Sequence, residues 1–271
     1  AFLRLKKLIA PEIDEPIAAT ITTPSSKAIE AIFNTLRKKR IVIVAGEGSV
    51  FTEHEAKSVL DFADYASIPV LADPLSGLRG HGYDAAIEGY DALLASDLYR
   101  EALRPDAVIR FGRYPVSKRL TKWLEALRDQ GVLTITVDAY ETKDFNAATD
   151  LFVPCTPAAF TRAVMTDWLN VSKSILGVAP YQRNYFSKWE QANEGLNTLY
   201  DKVENTPEAN EFEGAYVHAM LSLLPADSCL FVGNSMSIRA VDTFCRLRTG
   251  SIQILGNRGL NGIDGTLSTM F

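Results

Sequence analysis

The sequence is poor in the residues that build metal and disulfide frameworks, with three cysteines and three histidines among 271 residues. Cys155, Cys229 and Cys245 are odd in number and far apart, which excludes a disulfide framework and CxxC chemistry. They read as reduced core thiols of a cytoplasmic protein. His54, His81 and His218 are equally scattered, and none stands in HExxH or a comparable spacing, so no structural zinc is expected. No apolar run approaches the ~18 residues of a membrane span. The opening AFLRLKKLIAPEIDEP has neither the apolar region nor the small-residue cleavage site of a secretory signal. A surplus of positive charge is missing too. Lys and Arg number 28 against 33 Asp and Glu, a formal charge of −5, so no global field draws the chain to nucleic acid or anionic lipid, and anion recognition has to be local. GxxxxGKS, GxxxxGKT, GxSxG and a complete Ser/His/Asp ordering are absent.

What is present is ordinary globular material. Hydrophobic residues make up 47% and charged residues 23%, with 17 Gly and 12 Pro, enough apolar mass for a full core. The length exceeds the usual ~100–200 residues of one domain, which leaves one large α/β domain or one domain with part of another. Residues 1–26 mix Pro, Thr and Ser without a sustained period and read as an extended leading segment or linker. From Ser26, taken as an N-cap, Ile29, Ile32, Phe33 and Leu36 recur at helical spacing. The run IVIVAG (41–46) predicts a buried strand, and a helix over 52–66 and the strand IPVLAD (68–73) follow. Residues 74–90 carry Gly77, Gly80, Gly82 and Gly89, and a loop of that length is expected to be functional or mobile.

Strands AVIRFG (107–112), VLTITVD (132–138) and LFVPC (151–155) then alternate with helices over 117–129 and 157–170. The alternation predicts an α/β fold over 27–175, a doubly wound parallel sheet covered on both faces. Residues 176–210 read as a connecting helix or linker. From 211 to 271 the pattern restarts with a helix over 212–224, the strands CLFVG (229–233) and IQILG (252–256), and the glycine-rich turn NRGLNGIDG (257–265). This is read as the truncated start of a second α/β domain.

Ligands of open parallel sheets bind beyond the carboxyl ends of strands, and three such places carry cations. Ser117 is a good N-cap, which puts Lys118 and Arg119 at the first positions of a helix, where they oppose its dipole by ~0.3–1 kcal/mol each unless an anion is present. In GNSMSIRAVDTF, Ser235 opens a helix and Arg239 lies four residues on along the same face, so that a hydroxyl, free N–H groups and a guanidinium point toward a carboxylate or phosphate. A capping Ser beside an unrelated surface Arg is the plainer alternative. The third place is Arg258, between turn formers after IQILG. Gly46-Glu47-Gly48 is half of GxGxxG, but Phe51 stands at the last glycine position, and a simple turn is the better reading.

Taken together, LFVGNSMSIRAVDTF, ILGNRGLNGIDGTLST and RFGRYPVSKRLTKWL closely resemble segments of the 2-succinyl-5-enolpyruvyl-6-hydroxy-3-cyclohexene-1-carboxylate synthase (MenD) family. The shared pattern is GNS-x-x-x-R, NRG-x-x-GIDG-x-x-ST and a Lys-Arg pair before Leu, in order over residues 27–271. The resemblance implies a thiamine diphosphate enzyme of three α/β domains, of which this chain is a fragment holding the central domain and the start of the C-terminal one. The glutamate that activates the cofactor and the metal and diphosphate ligands would lie outside it. The implied activity is that of a C–C bond-forming transferase of menaquinone biosynthesis. It decarboxylates 2-oxoglutarate and adds the product to isochorismate, using thiamine diphosphate with Mg2+ or Mn2+. By the same resemblance Lys118, Arg119, Ser235, Arg239 and Arg258 bind substrate and Ile263 props the cofactor. No catalytic acid or base and no metal ligand is implied here, and the chain alone would hold no cofactor. The full-length protein is expected to be a homodimer or homotetramer. Two other readings remain: a different thiamine diphosphate decarboxylase or carboligase, and a non-catalytic nucleotide-binding α/β module.

Overall fold

The β-branched runs form the centre of a wholly parallel sheet in the computed structural model, which describes residues 22–140, 144–171, 179–246, 252–258 and 265–270. Its six strands are β1 (Ile41–Ala45), β2 (Val70–Ala72), β3 (Ala86–Ile87), β4 (Ala107–Phe111), β5 (Leu133–Val137) and β6 (Leu151–Val153). Their spatial order is β3-β2-β1-β4-β5-β6. Side chains alternate across the pleat, and both faces are covered. Ile41, Ile43, Ile109 and Phe111 pack beneath α1 (Ser26–Leu36), α2 (Glu53–Ala66) and α6 (Pro157–Val171). Val42, Val44 and Val108 pack beneath α3 (Tyr90–Leu93), α5 (Lys118–Asp129) and α7 (Pro180–Glu204). Each such buried apolar side chain contributes about 1.5–3 kcal/mol, which is why β1 reads as an unbroken apolar run.

Local chemistry sets the helix ends. Ser25, not Ser26, caps α1 by accepting the Ala28 N–H; both serines suit the position, and the backbone turns one residue earlier. Thr52 and Glu55 form a reciprocal capping box on α2. Among the short elements the sequence missed are β3, α3 and α4 (Asp97–Ala102). The first two lie in or beside the glycine-rich segment. That segment is not a loose loop, for Leu75, Ser76, Leu78, Arg79 and Ala85 are buried within it. Helix α7, read as a connector, also covers the sheet. Trp189 is fully buried, and the Gln182 amide bonds the Ile41 N–H and C=O and the Ser67 carbonyl.

A second, two-stranded parallel sheet joins β7 (Cys229–Val232) to β8 (Gln253–Gly256). With α8 (Glu213–Ser222) and α9 (Met236–Phe244) it encloses Leu221, Val232, Ile238, Val241 and Ile254, together with Leu75 and Val116 from the first sheet's loops. A short helix, α10 (Thr266–Met270), follows. Cys155 and Cys245 are buried free thiols, whereas Cys229 is exposed, because β7 is only partly covered and its first residue faces solvent.

Buried polar contacts join the two sheets. Arg79 pairs with Asp242 at 2.7 Å, both side chains 2% exposed, and also donates to the Val241 and Asp242 carbonyls at the end of α9 and to the Ala72 carbonyl. Tyr90 donates to the same carboxylate at 2.7 Å. Burial pushes the Asp242 carboxyl up to about 7 against the pull of Arg79. The far end of α7 is tied in as well, since Arg246 bonds both Asp201 and Glu204, and the Tyr200 hydroxyl donates to the Thr243 carbonyl.

Two outcomes follow from this packing. Asp242→Ala leaves a guanidinium buried without its carboxylate and lowers stability by about 3–5 kcal/mol in urea denaturation; a loss below 1 kcal/mol would mean that Arg79 is satisfied by carbonyls alone. At the base of the sheet, hydrogen bonds from Arg40 hold the Asp106 carboxyl below its ordinary value. A depressed pKa adds stability above the unfolded value, near 3.9, and the contribution is lost as pH falls through the folded value. Asp106→Asn is therefore destabilising at pH 7, and the gap from the parent closes in acid, as denaturation midpoints across pH 7 to 3 would show.

Candidate functional site

A doubly wound sheet of this strand order binds nucleotides where the order reverses, between β1 and β4. Here that crevice is closed by its own loops. A Cβ on Gly46 would stand 1.7 Å from the Arg113 carbonyl oxygen, and one on Gly112, whose φ is +62°, would stand 2.6 Å from the Glu47 carbonyl oxygen. The Arg113 N–H donates to that Glu47 carbonyl at 3.0 Å, and its guanidinium meets the Glu47 carboxylate at 3.1 Å. A cleft of about 570 Å³ opens beside these loops and is walled by β8. Its charged lining is mainly acidic, with Glu47, Glu53, Asp138 and Asp227 against His81, the paired Arg113 and the committed Arg79. None of the five polar residues singled out from the sequence lines it, and its field does not suit an anion.

One of them, Arg119, meets a buried carboxylate, Asp91 of α3. Ser117 caps α5 by accepting the Leu120 N–H at 2.9 Å, and Lys118 and Arg119 are the first two residues of that helix. The Ser117 hydroxyl donates to Asp91 Oδ1 at 2.6 Å, while Arg119 and the Thr243 hydroxyl both donate to Oδ2, at 2.5 and 2.8 Å. The anion that Arg119 calls for at a helix N-terminus is thus internal, a carboxylate whose side chain is 7% exposed. Arg119 remains 50% exposed, so guanidinium N–H groups are left for a further acceptor. Lys118 is exposed and forms no hydrogen bond or ion pair with another described residue.

Helix α9 brings the second motif to the same place. Thr243 reaches Asp91, and Arg239, four residues earlier, lies one turn away on the same face. Arg239 is half-buried and likewise forms no ion pair among the described residues. Ser235 opens α9, as its place before the helix predicts. It stands at the N-cap of α9, but its hydroxyl makes no capping bond, and its backbone adopts φ 67°, ψ −122°, a conformation that disfavours a Cβ. The third motif meets the second where Arg258 donates to Asn234 Oδ1 at 3.1 Å. Ile263 lies outside the described residues.

Asp91, Arg79 and Asp242 were not singled out from the sequence. Burial of an acid leaves no mark in its neighbours, and the one available hint was an arginine amid the glycines of 74–90. Among the described residues no group of three or more His, Cys, Asp or Glu side chains could hold a metal ion. The loops of β1 and β4 also leave no cradle for a diphosphate, so the described residues do not fit that group with its cation. They offer donors for carboxylates.

Comparison with known proteins follows the same lines. A family model described as the middle domain of thiamine pyrophosphate matches residues 14–232. The chain is 36% identical over 250 residues to a 2-succinyl-5-enolpyruvyl-6-hydroxy-3-cyclohexene-1-carboxylate synthase of Bacillus pumilus, covering 91% of the chain and 40% of that protein. A synthase of the same name from Lactococcus lactis is 36% identical over 82% of the chain and 37% of its own length. Another, from Desulfitobacterium hafniense, is 31% identical over 98% of the chain and 46% of its own length. The chain therefore spans less than half the length of these relatives.

The strained serine generates a test of its own. Ser235→Gly removes the Cβ that the backbone disfavours and raises stability by about 1 kcal/mol, whereas Ser235→Ala, which keeps it, does not. Thermal melts of the two variants decide the matter, and equal melting temperatures would mean that the conformation stores no strain.

Proposed function

The chain belongs to the family of thiamine pyrophosphate middle domains, and on that premise we propose that it works within a longer thiamine diphosphate-dependent synthase. That enzyme decarboxylates 2-oxoglutarate and adds the resulting unit to isochorismate, a step of menaquinone biosynthesis. Mg2+ or Mn2+ accompanies the cofactor, and the enzyme is a cytoplasmic homodimer or homotetramer. Within it, Lys118, Arg119, Ser235, Arg239 and Arg258 receive substrate carboxylates, and Ile263 supports the cofactor. The described residues supply no acid or base for the reaction. They bind and orient two dicarboxylates, a task for which charge-assisted hydrogen bonds give both energy and geometry.

One observation carries this reading: Arg119 of α5 and Thr243, one helical turn from Arg239 on α9, are more than a hundred residues apart in sequence and both donate to Asp91. Relatives bearing the synthase name, at 31–36% identity, support the choice of substrates over another thiamine diphosphate carboligase. The closed β1–β4 crevice argues against a nucleotide-binding module.

Kinetics of the full-length enzyme test the assignment. Arg239→Ala or Arg258→Ala raises KM for a dicarboxylate, or lowers kcat/KM, at least ~tenfold, because a lost charge-assisted pair costs about 1.5–3 kcal/mol. Parent-like kinetics in both variants would return these arginines to the surface.

A further inference from the structure

We propose that Asp91 is a positioning residue for substrate recognition, its carboxylate fixing Arg119 directly and the Arg239 helix through Thr243. The inference rests on the reading of Arg119 and Arg239 as substrate cations and adds what sets their mutual placement. Asp91 sits on a helix of four residues, and its side chain is almost wholly out of water. A carboxylate so placed is tolerated only when its oxygens are satisfied. Its three donors come from two helices, both bearing candidate substrate residues: Ser117 and Arg119 from the start of α5, and Thr243 from the end of α9.

Capping does not explain Asp91, because Ser117 already satisfies the Leu120 N–H. What the carboxylate adds is a fixed bearing for the guanidinium. One nitrogen of Arg119 is tied to Oδ2, while the half-exposed remainder keeps its N–H groups for an incoming carboxylate. Oδ2 is shared with Thr243, so a shift of either helix is felt by the other. Arg239 lies one turn from Thr243, and its distance from Arg119 is set through that oxygen. A substrate with two carboxylates reads that distance.

The test is a double-mutant cycle in the full-length enzyme with thiamine diphosphate and Mg2+, varying 2-oxoglutarate and isochorismate in turn. Asp91→Asn keeps the shape and removes the charge. It is expected to raise KM for one dicarboxylate about tenfold while kcat stays within about threefold, as for lost binding rather than lost chemistry. In an Arg119→Ala background the same substitution should add less than about threefold, since the group it positions is gone. Equal factors in both backgrounds, or an unchanged KM for Asp91→Asn, would overturn the proposal and leave the substrate reading intact. Parent-like kinetics for Arg119→Ala would overturn both. If Asp91→Asn does not yield folded enzyme, Thr243→Val carries the test, since it removes one donor and keeps the shape. A rise in KM that disappears in an Arg239→Ala background supports the proposal, and additivity overturns it.

Discussion

The arrangement depends on one buried ion pair. Arg79 and Asp242 are withdrawn from water, and neither would be stable there alone. Arg79 meets this cost with five N–H groups in a planar fork, one branch on the Asp242 carboxylate and others on the last carbonyls of α9, where a helix presents its negative end. Burial alone would lower the guanidinium's pKa, but Asp242 outweighs it and Arg79 stays charged. Tyr90 and Asp91 are successive residues of α3, one bonded to Asp242 and the other to Thr243, so a single short helix reads two neighbouring residues of α9.

Asp73 extends the arrangement from the other side. It follows β2 directly, and its carboxylate accepts the N–H groups of Leu75 and Val116 at 2.8 and 2.6 Å. Val116 immediately precedes Ser117, the cap of α5. The loop after β2, the loop after β4 and the end of α9 are thus three parts of one polar seam under the apolar contacts of Leu75 and Val116 with Ile254 and Val232.

What could be read in advance was what repetition makes visible. β1 was legible as an unbroken β-branched run, β4 and β5 as short β-branched and aromatic runs between helical segments, and α5 because Ser117 announces its cap. The positions of Lys118 and Arg119 followed from the same logic. β3 escaped because two residues carry no period, and α3 because four residues complete barely one turn. Asp91 escaped for another reason: its role is defined by partners 26 to 152 residues away, and no local window contains them. Ser235 shows the limit of rules based on residue type. A serine before a helix ordinarily caps it with its hydroxyl, and only the structure reveals that this one makes no capping bond.

Helix α7 gives the molecule a mechanical property. Its 25 residues make a rod about 37 Å long. One end is seated in the sheet through Gln182 and Trp189, and the other is clamped to the end of α9 through Arg246 and Tyr200. A rod fixed at both ends acts as a strut. Rotation of α9 against the sheet would have to bend a continuous helix or break the Arg246 clamp. Work done by a ligand on α9 would be delivered to the sheet with little lost in between.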